Sequence, residues 1–92
     1  MAPSRGERLI KVLFFARIRE QLGHSSLALE YSADLGTVAD LQAHLANSYG
    51  AHWLEVLGEV NVVRAVNQEV AELDRAISDG DEIAFFPPVT GG

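Results

Sequence analysis

Leu9-Ile10-Lys11-Val12-Leu13-Phe14-Phe15-Ala16 is rich in branched and aromatic residues and is broken by a single charge, Lys11. A run that apolar and that short is what a central strand covered on both faces looks like. Its counterpart near the other end of the sequence is Glu82-Ile83-Ala84-Phe85-Phe86, closed by Pro87-Pro88. Proline has no amide hydrogen to donate, so the ladder must stop there. The two runs are the most apolar strand candidates in the chain. They are therefore expected side by side in the middle of one sheet, an arrangement that makes them parallel.

Between them the pattern changes period. Residues 17–22 can form a short helical turn, with Ile18 and Leu22 on one side and Gly23 as its stop. Leu27, Leu29 and Tyr31 alternate with Ser26, Ala28 and Glu30, which predicts a half-buried strand. Thr37 is placed as an N-cap, with Asp40 three residues on completing a capping box. Val38, Leu41, Leu45 and Tyr49 then fall on one helical stripe that Gly50 ends. Trp53, Leu54 and Leu57 form a further apolar cluster. Residues 62–67 alternate like a strand, Asn67-Gln68 reads as a turn into a short strand near Val70, and Asp79-Gly80-Asp81 is a second turn. The whole predicts an α+β domain over residues 9–86, one main helix packed on one face of a mixed sheet, with a flexible extension at 1–8 and a functional tail at 87–92.

Composition narrows the function classes. Thirteen acidic against seven basic residues give a net charge of −6, which opposes nucleic acid and anionic membrane surfaces. The apolar runs are too short for a membrane span or a signal segment, so the cytoplasm is the expected compartment. There is no cysteine, hence no disulfide, thiolate metal site or catalytic thiol. His24, His44 and His52 lack ligand spacing, and Asp79, Asp81 and Glu82 are better explained as solvated turn charges than as a metal site. No metal or cofactor is expected to be bound.

Strand pleating sorts the aromatic residues. Lys11, Leu13, Phe15 and Arg17 share one face of the first strand, and Glu82, Ala84 and Phe86 one face of the last. The charges place these faces away from the helix. Phe15 and Phe86 then form an exposed patch beside the tail, a candidate docking surface; the alternative is that both pack under a loop or the Trp53 segment. The tail itself is Pro87-Pro88-Val89-Thr90-Gly91-Gly92. Glycine, lacking Cβ, can enter a slot too narrow for other residues, so Gly91 and Gly92 suit a carboxylate presented inside another protein's active site. A carboxylate becomes electrophilic only as a mixed anhydride, which points to adenylation by an ATP-consuming partner. The plainer reading of two glycines is a frayed end, but here they follow directly on a strand-breaking Pro-Pro.

Three stretches carry a more specific resemblance. They are Lys11-Val12-Leu13-Phe14-Phe15-Ala16-Arg17-Ile18-Arg19-Glu20, Ala65-Val66-Asn67-Gln68, and the run from Asp79 to Gly92. Together they resemble the small-subunit family of molybdopterin synthase, which are ubiquitin-like β-grasp proteins. The resemblance implies that an enzyme of the ubiquitin-activating type adenylates Gly92, that a sulfurtransferase supplies sulfur, and that the chain end becomes a thiocarboxylate. It implies further that the tail threads into the large synthase subunit, which makes Gly91 the threading residue and adds Pro87, Pro88, Val89 and Thr90 to the partner-binding candidates Phe15 and Phe86 that the pleat supplies. There sulfur passes to a cyclic pyranopterin phosphate. The chain would be the sulfur-donating part of an enzyme, without a complete active site of its own. The alternatives are a thiamine-pathway sulfur carrier, a ubiquitin-like modifier joined through Gly92 to lysines, and an interaction domain with an inert tail.

Overall fold

The computed structural model describes residues 8–88; residues 1–7 of the extension expected at 1–8, and the tail residues Val89, Thr90, Gly91 and Gly92, lie outside the described residues. The elements are β1 (Leu9–Phe14), α1 (Ala16–Leu22), β2 (Ser26–Glu30), α2 (Val38–Tyr49), α3 (Ala51–Leu57), β3 (Val63–Val66), β4 (Glu69–Val70) and β5 (Glu82–Phe86). The strands form one mixed sheet in the order β2-β1-β5-β3-β4. β1 and β5 are central and parallel, Lys11 opposite Glu82 and Phe14 opposite Phe85, as their composition predicts. The remaining pairs are antiparallel.

The helices cover one face. Ile10, Val12 and Phe14 of β1 and Ile83 and Phe85 of β5 point into them and are almost wholly buried. Val38, Leu41 and Leu45 of α2 meet them, together with Ile18 and Leu57. α2 begins where the capping box places it: Thr37 Oγ1 accepts from the Asp40 amide at 3.2 Å, and Asp40 Oδ2 accepts from the Thr37 amide at 3.1 Å. Trp53 of α3 closes one end of the core, edge-on to Phe14 with centroids 5.5 Å apart.

Four expectations are corrected. β1 stops at Phe14 rather than Ala16, because Ala16 takes a left-handed φ of 52° that no ladder accommodates. Arg17 accordingly belongs to α1, not to the strand face. Tyr49 is 44% exposed rather than part of the buried stripe, and its ring instead stacks on Trp53 at 4.1 Å. Leu54 also faces outward, while Val56, one helical step away from Trp53, is buried in its place. The cluster of Trp53, Leu54 and Leu57 lies on a regular helix, α3, packed on α2.

Arg64 was not foreseen as a structural residue. On the helix side of β3 its guanidinium donates to Gln42 Oε1 (2.7 Å), Val62 O (3.1 Å) and Leu57 O (2.7 Å). It thereby ties β3, α2 and the end of α3 together. Burial pulls its pKa below the ordinary guanidinium value, partly offset by the carboxylate of Glu72. Among the described residues, no helix is long and apolar enough to cross a membrane.

Candidate functional site

The outer face of the sheet is arranged in rows set by strand register. The first row pairs Lys11 with Glu82. The second runs Leu13, Ala84, Ala65 and Val70 across four strands. The third holds Phe86 against Val63, with Phe15 immediately after β1. Polarity thus falls from the first row to the third, and the tail leaves the sheet from the apolar end.

Phe15 occupies the junction between β1 and α1. Its amide donates to Phe85 O at 3.1 Å, extending the ladder by one bond, while its carbonyl accepts from the amides of Ile18 and Arg19 and starts the helix. Those bonds fix the backbone and leave the ring outside, 45% exposed. Phe86 lies beside it, half-buried, with ring centroids 6.4 Å apart and planes at 80°. An edge-to-face pair of this kind is favourable in itself and presents a rigid apolar wall. Ala65 and Ala84, having only methyl side chains, leave a hollow next to it, bounded by Leu13, Gln68, Val70 and Glu82. The two aromatics are not covered by the Trp53 segment, which sits on the opposite face of the sheet. Pro87 and Pro88 follow directly, both half-buried.

The far side of the hollow is held by a hairpin turn. Asn67 and Gln68 have φ values of 50° and 72°, the double left-handed pattern of the tight turn that matches strand twist. The Asn67 side chain binds it to the start of β5: Nδ2 donates to Asp81 Oδ1 at 3.0 Å, and Oδ1 accepts from the Glu82 amide at 3.0 Å. Asp81 Oδ2 accepts from the Ser78 amide at 2.8 Å. Both oxygens of Asp81 are therefore engaged in holding the turn, a more specific role than a solvated charge. His52 Nε2 donates to Gln21 O at 2.8 Å, and His24 packs edge-on against Trp53 at 5.5 Å, so two of the three histidines serve the fold. Among the described residues no cluster of His, Asp or Glu could hold a metal ion.

Of the residues the sequence singles out, Phe15, Phe86, Pro87 and Pro88 are brought together at one end of the sheet. Val89, Thr90, Gly91 and Gly92 lie outside the described residues. The hollow itself, formed by Ala65 and Val70 beside Ala84, is the part the sequence left unseen. Alternation marks which residues of one strand share a face, but only the strand order β1-β5-β3-β4 shows that these residues are neighbours.

Comparison with known proteins supplies the context. Residues 12–92 match the ThiS family. The chain is 46% identical over 84 residues to the molybdopterin synthase sulfur carrier subunit of Escherichia coli K12, an alignment covering 91% of this chain and 100% of that subunit. Among solved structures it is similar to the complex of subunits 1 and 2 of molybdopterin-converting factor from Helicobacter pylori, with a TM-score of 0.65, 26% identity, and coverage of 91% and 99%. It is also similar to SAMP1 from Haloferax volcanii, with a TM-score of 0.70, 29% identity, and coverage of 91% and 99%.

Proposed function

The chain belongs to the ThiS family, with a ubiquitin-like β-grasp fold, and from that premise we propose that it is the sulfur carrier of molybdenum-cofactor biosynthesis. The observation that carries this is the 46% identity to the Escherichia coli sulfur carrier subunit over that protein's whole length. In this reading the Gly92 carboxylate attacks the α-phosphate of ATP on an activating enzyme, and pyrophosphate leaves. Sulfur delivered by a sulfurtransferase then displaces AMP and leaves a thiocarboxylate. The thiocarboxylate sulfur, a polarizable nucleophile, attacks a carbon of a cyclic pyranopterin phosphate in the large synthase subunit and displaces an oxygen from it. Water then cleaves the resulting thioester, leaving the sulfur on the pterin and supplying the oxygen that restores the carboxylate. A carrier of this kind needs no cysteine, which accords with the composition.

The chain supplies position rather than acid–base chemistry. The Phe15–Phe86 wall and the alanine hollow are the docking surface for the large subunit, and Pro87-Pro88 set the direction in which Gly91 and Gly92 enter. Phe86 precedes one proline and Pro87 another, so both are confined to extended backbone. Effective reaction from a presented terminus demands such positioning, since small misplacements of reacting atoms are costly. The cytoplasm is the compartment that fits these partners. The test is intact mass after incubation with an activating enzyme, ATP and a sulfur source. The expected product is heavier by the difference between one sulfur and one oxygen, located at Gly92; its consistent absence overturns the proposal. A second reading, a protein modifier, draws on the 35% identity over 85 residues to small archaeal modifier protein 1 of Haloferax volcanii. It predicts amide-linked conjugates through Gly92 on cellular proteins.

A further inference from the structure

Six of the seven basic residues are arginines, and Lys11 is the one lysine. That distribution matters for a chain whose carboxylate is activated. An acyl adenylate is attacked by a free amine, whereas a guanidinium group holds its proton and is no nucleophile. Lys11 is exposed, stands in the first row of the outer face, and takes part in neither ion pair found among the described residues, Arg17–Glu59 and Arg75–Glu69. It lines a shallow trough with Leu9, Ser26, Leu27, Ala28 and Gly80, where the small residues Ser26, Ala28 and Gly80 leave room for an approaching backbone.

We propose that Lys11 is an acylation site through which one copy of this chain becomes joined to another. The inference rests on the reading that Gly92 is activated. Lys11 Nζ, deprotonated, attacks the acyl carbon of the Gly92 adenylate of a second copy. A C–N bond forms, the bond from carbon to the phosphate oxygen breaks, AMP leaves with the electron pair, and the nitrogen loses its extra proton to water. The product is a tail-to-Lys11 amide.

Geometry favours a second copy over the chain's own tail. Lys11 is level with Glu82, four residues behind the end of β5 and therefore ~13 Å back from the exit. The two prolines carry the chain onward by a further ~6 Å before any reversal. The four residues left, 89–92, span at most ~14 Å fully extended, which leaves none to make the turn.

The experiment uses the full chain with an activating enzyme and ATP, without sulfur source or large subunit, read by intact mass and peptide mapping. A parallel reaction with hydroxylamine traps the adenylate as a Gly92 hydroxamate. The expected result is a covalent dimer with a Gly92–Lys11 amide, reduced to background in Lys11→Arg while hydroxamate yield and melting temperature are unchanged. Hydroxamate without dimer, a dimer that persists in Lys11→Arg, or a monomer lighter by one water would each overturn the proposal. Failure to trap any hydroxamate from the unaltered chain would instead remove the activation step, and the Lys11 linkage with it.

Discussion

Phe85 and Phe86 are adjacent in sequence and face opposite sides of the sheet, so one change made at each should give opposite outcomes. Phe85 is fully buried, and its ring stacks on Phe14 with centroids 5.8 Å apart. Truncation to alanine there removes a whole aromatic contact set and leaves a cavity, at a cost of ~3–5 kcal/mol. A domain of this length holds only ~5–14 kcal/mol in total. At roughly 4–8 °C per kcal/mol, Phe85→Ala should lower the melting temperature by roughly 12–40 °C. Phe86 is half-buried against Phe15 alone among the aromatics, so Phe86→Ala should cost about 1 kcal/mol in stability. Its loss should appear in docking instead. Removing an aromatic anchor from an interface costs ~2–4 kcal/mol, which is roughly 30- to 1000-fold in Kd. Circular dichroism melts and calorimetric titration against the large synthase subunit read the two quantities on the same samples. A Phe86→Ala protein that melts as low as Phe85→Ala would refute the face assignment. One that melts normally and binds normally would remove Phe86 from the docking surface.

Arg64→Met should cost about 2–3 kcal/mol, because Leu57 O and Val62 O lose a charged donor and water replaces it only in part; a chemical denaturation midpoint checks this. Gln68→Gly should stabilise by up to about 1 kcal/mol, since glycine takes the φ of 72° without steric penalty; a melt equal to or below that of the parent chain would count against a strained turn. Deleting Gly92 should leave the melt within about 0.5 kcal/mol of the parent and abolish molybdopterin formation, and retained synthase activity would contradict the carrier mechanism.

The central strands, the capped helix and both turns were legible because each rests on a local physical rule. A doubly covered strand is apolar throughout, a cap needs Thr37 and Asp40 three apart, and a turn needs residues that tolerate a left-handed backbone. What escaped depends on contacts between segments distant in sequence. Arg64 looked like the polar member of an alternating strand, yet it points inward because Gln42 and Leu57, far along the chain, supply acceptors for it. Tyr49 had the spacing of a core residue but lies at the last turn of α2, where α3 brings Trp53 beneath it and leaves its outer side in water. The junction at Ala16 was missed because alanine gives no signal of a positive φ, which is imposed there by the start of α1. The face bearing Phe15 and Phe86 followed from the pleat; the alanine hollow beside it required the strand order.

The placement of β5 also has a mechanical side. A partner that draws the tail into a slot pulls on the strand from its C-terminal end. β5 is hydrogen-bonded along both edges, to β1 on one side and β3 on the other. Those bonds lie across the direction of pull, so they are loaded together in shear and cannot be unzipped one at a time, as they would be on a strand at the sheet's margin. Tension is shared over the middle of the molecule rather than borne at one edge of the sheet. The folded body then acts as a stiff handle for any pull delivered through the end of β5.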